Sequence, residues 1–170
     1  MENVEDILSK PAPNILYHYT TQKGVLGIVN SSSIWASSIL YLNDTLEYSY
    51  AFEMLLQEAK EYKALYENIL RYRRDDIFVC SFSEEKDLLS QWRAYASNAS
   101  GFSIGFRSSS LKILAKSQQF YFLPCIYDPN IQKEVINQKL MKYNDMFKKY
   151  PSGFDLNELL KDFYKVFPNY

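Results

Sequence analysis

Ile15-Leu16-Tyr17-His18-Tyr19-Thr20-Thr21 begins as an apolar run and stops at a polar pair. Tyr, Ile and Leu suit a pleated, buried surface, so Ile15 to Tyr19 reads as a first strand. Thr20 or Thr21 can then cap a short helix through about Asn30. That helix carries Val25, Leu26, Ile28 and Val29 on one face, and the Ser31-Ser32-Ser33 run ends it. The strand also holds the one histidine of a 170-residue chain. Histidine is the side chain whose unperturbed pKa lies nearest neutrality. A lone copy at a strand end is either a core residue bonded to a neighbouring carbonyl or a site residue.

Outward from this run, strands and helices interrupt one another. Ile34 to Ser37 reads as a short second strand, followed by the apolar turn Ile39–Leu42. Asn43-Asp44-Thr45-Leu46-Glu47 has the form of a capping box, with Asp44 accepting from first-turn N–H groups and Glu47 reaching back. The helix it opens is expected to reach about Arg71, since Tyr48, Phe52, Leu55, Ala59, Tyr62, Tyr66 and Ile69 recur at three- and four-residue steps. Asp75-Asp76 break that pattern.

Ile77 to Phe82 is nearly all apolar and reads as a central strand. The elbow Ser83–Lys86 leads to a helix from Asp87 to about Ala96, and Asn98–Gly101 turns the chain into a strand at Phe102–Phe106. Ser108–Lys116 predicts a short helix, and Gln119–Tyr127 an edge or bulged strand because of Pro124. Amphipathic helices are expected over Asn130–Lys149, with Ile131, Val135, Tyr143 and Phe147 on one side, and over Asp155–Phe167. The fold class is α+β, with small mixed or antiparallel sheets flanked by amphipathic helices and too few βαβ units for a doubly wound sheet. Residues 1–14 read as an arm, 15–127 as the core, and 128–170 as a helical segment of the same domain.

Nineteen basic residues oppose twenty acidic ones, so nucleic acid held by its phosphates is not suggested. Fifteen Tyr, eleven Phe and two Trp predict a core of large rings whose polar tips need partners. Cys80 and Cys125 read as lone thiols, since one His and two separated Cys cannot furnish a usual zinc site. The acidic N-terminus lacks signal-peptide form and no apolar run approaches a membrane span, so a cytoplasmic protein with no membrane partner is expected. Glycines are scattered, and neither a phosphate loop nor a Gly-x-Ser-x-Gly elbow occurs.

Two local features accompany His18. Asn43–Glu47 is explained by helix capping, with Asn43 the extra polar residue. Cys80-Ser81-Phe82-Ser83 runs into an elbow and then Leu89-Ser90-Gln91-Trp92-Arg93-Ala94-Tyr95. There a hydroxyl beside an indole and a phenol suits a planar, amide-bearing ligand. A surface helix whose Trp92 and Tyr95 pack on the sheet is the equal alternative.

Tyr17-His18-Tyr19-Thr20, Asn43-Asp44-x-x-Glu47, Ser81-Phe82-Ser83-Glu84 with Asp87, Gln91-Trp92-Arg93-Ala94-Tyr95, and Gly101-Phe102-Ser103-Ile104-Gly105-Phe106 follow one another in order. Over roughly residues 15 to 106 this series closely resembles the bacterial family catalogued as domain of unknown function 2971. More distantly it resembles the ADP-ribosyltransferase fold of the His-Tyr-Glu type. That resemblance implies NAD as substrate and His18 as the catalytic-site residue that hydrogen-bonds a ribose hydroxyl. It implies that the Tyr19 backbone and the Ser83 hydroxyl hold the nicotinamide carboxamide, that Trp92 or Tyr95 stacks on the ring, and that Arg93 meets the diphosphate. Thr20 and Ser81 complete the cofactor-binding set it implies.

Cleaving the nicotinamide–ribose bond develops oxocarbenium character, which a carboxylate near the ribose stabilises. In the resembling folds a late strand carries that Glu, whereas this chain reads as helices after Tyr127, with Glu134 in a helical pattern. Three readings are open: a truncation without catalysis, half of a split enzyme, or an enzyme using another carboxylate. The leading expectation is an NAD-site toxin or effector of a bacterial or phage defence system, acting on an unknown acceptor. The rival is a catalytically incomplete interaction or nucleotide-sensing module. It would work with a protein partner or a second copy through its C-terminal helices.

Overall fold

Thr21 both ends the first strand and caps the first helix, its hydroxyl accepting the Gly24 N–H at 3.2 Å. The computed structural model describes residues 9–38, 45–71, 78–95 and 100–149. In chain order these form β1 (Ile15–Thr21), α1 (Gln22–Ser31), β2 (Ser37–Ser38), α2 (Thr45–Ala59), α3 (Lys63–Arg71), β3 (Phe78–Val79), α4 (Leu89–Tyr95), β4 (Gly101–Arg107), α5 (Ser108–Ser117) and α6 (Pro129–Lys149). The class is α+β, with two small two-stranded sheets, β1–β4 and β2–β3. The chain divides into two compact units. One comprises Pro11–Ser37 and Phe78–Phe122; the other comprises Met1–Lys10, Ser38–Ile77 and Leu123–Tyr170.

In the first unit β1 pairs antiparallel with β4 along its whole length, from Ile15 opposite Arg107 to Thr21 opposite Gly101. The other edge of β1 meets Ser83, which exchanges both backbone hydrogen bonds with Tyr17 at 2.8 Å. β1 is therefore the central strand of this unit. The Ile77–Phe82 run is not: among its described residues only Phe78–Val79 is a strand, it pairs with β2, and Phe78 is exposed. The expected second strand at Ile34–Ser37 likewise shrinks to Ser37–Ser38.

The helix α1 ends where the serine run begins, with Ser32 in the left-handed region (φ 52°). Its apolar face is only half used: Val25 and Ile28 are partly buried, while Leu26 and Val29 are exposed. Gly24 decides how closely α1 follows β1, because a Cβ there would strike the Thr20 Oγ1. Gly24→Ala gains about 1 kcal/mol in helix propensity against an overpacking cost of about 1–3 kcal/mol. A net loss of about 1 kcal/mol is expected in urea denaturation. In a Thr20→Ala background the same change should become neutral or stabilising, since the hydroxyl it strikes is gone. Additive effects of the two substitutions would contradict this contact.

The expected strand at Gln119–Tyr127 is absent. The chain leaves α5 through Gln119 in the left-handed region (φ 61°), and Phe120 N–H ties back to the Ala115 carbonyl at 2.8 Å. Pro124 then offers no ladder donor.

In the second unit, the helix expected through Arg71 is two helices broken at residues 60–62. There Tyr62 N–H bonds the Ala59 carbonyl, and the Tyr62 carbonyl receives Tyr66 N–H. Leu55 and Ala59 from α2, Leu65 and Ile69 from α3, and Ile136, Leu140 and Tyr143 from α6 form one buried cluster with Phe52. Each fully buried Leu or Ile contributes about 1.5–3 kcal/mol. Asp128 caps α6 through the Asn130 N–H at 2.8 Å, ahead of Pro129. Glu58 on α2 is clasped from α6 by Lys133 Nζ at 3.0 Å and Asn137 Nδ2 at 2.9 Å.

The side chain of Glu47, and Ile39–Leu42, Asn43, Asp44, Asp75, Asp76 and the 155–167 segment, lie outside the described residues.

Candidate functional site

Alternation along β1 sets the site, because neighbouring strand residues point to opposite faces. His18 takes one face. Its Nδ1 lies 3.1 Å from the Ser81 carbonyl, which can only accept, so Nδ1 carries the proton and donates. In the neutral ring Nε2 is then an acceptor. The ring tilts against Phe82 (centroids 5.7 Å apart), and Phe82 meets Phe106 edge-on at 5.9 Å. This is the carbonyl bond that the core reading of a lone histidine anticipates, yet the residue is only half-buried.

Tyr19 takes the other face and is buried, with 4% of its surface exposed. Its hydroxyl donates to the Glu85 carbonyl at 2.7 Å and accepts from the Leu88 N–H at 2.9 Å. Trp92 packs against it in a T-shaped contact at 4.8 Å, and the indole Nε1–H donates to Asp87 Oδ1 at 2.7 Å. The Ser83 Oγ accepts from the Glu85 N–H at 3.1 Å. The elbow between Ser83 and α4 is thus pinned from inside by a tyrosine hydroxyl and at its end by an indole.

The same bonds fix where the backbone of Tyr19 is aimed. Tyr17 spends its N–H and carbonyl on Ser83, so even-numbered residues of β1 bond β4 and odd-numbered ones face the other edge. The Ser108 N–H to Asn14 carbonyl bond, at 3.0 Å, has the same parity. Tyr19 therefore turns its N–H and carbonyl toward the Ser81 segment. The Ser81 carbonyl is taken by the His18 ring, and among the described residues neither backbone group of Tyr19 has a hydrogen-bond partner. A buried strand residue with both groups unmet is uncommon.

The sequence-predicted residues therefore separate. His18 and Ser81 meet directly, and Tyr19 and Trp92 meet on the opposite face. Ser83 joins β1 through Tyr17. Thr20 is half-buried with its hydroxyl beside Gly24, Arg93 is exposed on α4, and Tyr95 is the last residue of α4. Among the described residues no ring contact or hydrogen bond joins Trp92 to His18. The sequence did not assign roles to Glu85, Leu88 and Asp87; the five-residue step from Asp87 to Trp92 was the one visible signal. Ser103, opposite Tyr19 in β4, was also missed. Its buried Oγ has no hydrogen-bond partner among the described residues.

Of the carboxylates near the elbow, Glu84 and Glu85 are exposed and Asp87 holds Trp92. Glu134 lies in α6 and accepts from Gln138 at 3.3 Å. Among the described residues no group of three or more His, Cys, Asp or Glu side chains is placed to hold a metal. Nor is any described helix long and apolar enough to cross a membrane.

A family profile described as Protein of unknown function (DUF2971) matches residues 91–166. That is the family the ordered motifs resemble. The matched stretch shares Gln91–Tyr95 and Gly101–Phe106 with the motif series and continues through α6, whereas the His18 and Ser81–Ser83 motifs precede it. Neither the curated proteins nor the solved structures compared with the chain give a match.

Proposed function

We propose that this chain is an ADP-ribosyltransferase-like module that binds NAD at the Tyr19 edge of β1. One observation carries the reading: the His18 ring takes the Ser81 carbonyl, and the Tyr19 N–H and carbonyl are left without partners among the described residues. A carboxamide has one acceptor and a pair of donors, which complement that N–H and carbonyl. His18 Nε2 is available as an acceptor for a ribose hydroxyl, because Nδ1 holds the proton. Trp92 and Tyr19 serve as the scaffold of the elbow in this reading, since the indole N–H and the phenol are already engaged. Arg93, exposed on α4, is a cation open to a diphosphate.

The exposed or occupied state of the elbow carboxylates favours a second reading of the step after binding. The module then senses NAD and leaves the glycosidic bond intact.

Calorimetric titration of NAD into the full chain, with NAD consumption measured in parallel, tests both. Saturable binding is expected, weakened about ten-fold in His18→Ala by the loss of one hydrogen bond. Binding without consumption selects the sensing module, and consumption selects the enzyme. Absent binding, or equal affinity in His18→Ala, overturns the NAD site.

A further inference from the structure

The parity that turns Tyr19 toward the Ser81 segment also determines the far edge of the sheet. Gly105 stands opposite Tyr17, whose backbone is spent on Ser83, so Gly105 turns its N–H and carbonyl away from β1. Ser103, with Gly101 and Arg107 at the strand ends, shares that direction. Among the described residues no backbone partner meets Ser103 or Gly105 on this side. Gly105 is exposed on this edge, and Phe102 is exposed on the sheet face beside it.

Protected edges carry charged residues, proline, a bulge or a short strand. β4, Gly-Phe-Ser-Ile-Gly-Phe-Arg, has no proline and no bulge, keeps its one charge at its last residue, and pairs without a break over seven residues.

We propose that this edge is a strand-addition surface for a second copy of the same chain. The two β4 strands would pair antiparallel about a two-fold axis at Ile104. Self-complementarity selects the occupant. With the axis at Ile104, Ser103 of each copy faces Gly105 of the other, so the outward N–H and carbonyl groups meet as hydrogen-bonded pairs. Phe102 then faces Phe106 and Ile104 faces Ile104, giving apolar cross-strand pairs on one side. On the other side Arg107 faces Gly101, and no like charges are opposed. The result is a continuous four-stranded sheet in the order β1, β4, β4, β1.

Sedimentation equilibrium of the full chain tests the dimer, and a cross-link tests the register. The pairing places the two Ile104 residues in a non-hydrogen-bonded pair with Cα atoms about 4.5 Å apart, inside the range a disulfide spans. In a Cys80→Ser, Cys125→Ser background, Ile104→Cys should oxidise to a covalent dimer. Ser103→Pro deletes an outward N–H from each copy and should weaken association at least about ten-fold. Phe102→Lys, at an exposed position, should do the same and keeps the test decisive where the proline variant fails to fold. A wild-type monomer at every accessible concentration overturns the proposal. So does a dimer that survives Phe102→Lys and fails to cross-link through Cys at position 104.

Discussion

Tyr19→Phe is expected to lower unfolding free energy by about 2–4 kcal/mol, although it removes a single oxygen atom. That hydroxyl serves two backbone groups at once, the Glu85 carbonyl and the Leu88 N–H, on either side of the elbow. Deleting it leaves both without their partner, and each such group costs about 1–3 kcal/mol where water cannot replace it. The low end applies because Glu85 and Leu88 are themselves exposed. The ring of Phe keeps the packing on Trp92, so the loss reports the hydroxyl rather than a cavity. Urea denaturation measures the total. Hydrogen exchange should locate it, with faster exchange over residues 84–92 and little change in α6. A loss below about 0.5 kcal/mol, within the range of ordinary surface substitutions, would contradict the pinned elbow.

The second large effect concerns Cys80, whose thiol burial pushes up to about 11. Near pH 8 its thiolate is roughly 200-fold scarcer than that of an ordinary thiol near 8.5. The higher basicity returns roughly ten-fold in nucleophilicity, leaving a net slowing of at least about ten-fold before shielding is counted. In a Cys125→Ser variant, labelling by a disulfide reagent should therefore be at least about ten-fold slower folded than in denaturant. The folded-state rate should also keep rising through pH 10. The sign for stability comes from the neutral thiol being the form the fold prefers. Its contribution is full below the unfolded thiol's titration near ~8.5 and is lost as pH rises toward about 11. Wild type should lose stability relative to Cys80→Ala over that alkaline window. Equal labelling rates in the folded and denatured states would contradict the burial.

The sequence made the local rules legible and the pairing rules illegible. The β1 to α1 handover could be read from Thr20-Thr21 because capping is a matter of adjacent residues. β4, α5 and α6 were readable from their local residue patterns as well. Which strand is central was not, because Ile77–Phe82 is more continuously apolar than Ile15–Thr21. Among the described residues the pairing with β1 stops at Ser83, and the Ser81 carbonyl accepts instead from the ring of His18, sixty-three residues away in sequence. The break between α2 and α3 leaves no mark in the periodicity, since Ala59, Tyr62, Tyr66 and Ile69 stay in step across it. Residues of both helices pack with α6 in one buried cluster.

The site shows the same division. Residue types at the strand ends were readable, and alternation alone sends His18 and Tyr19 to opposite faces. Which face the elbow covers was not readable: Trp92 packs with Tyr19. The feature that carries the functional reading, a Tyr19 backbone without partners among the described residues, comes from the parity of two ladders and from no residue type.

The most direct test reads that backbone. In a ¹⁵N-labelled full chain titrated with NAD, and separately with nicotinamide alone, the Tyr19 amide should shift saturably. The His18 ring should trace the same curve with NAD. Binding with a stationary Tyr19 amide, or no binding of either compound, would contradict the site.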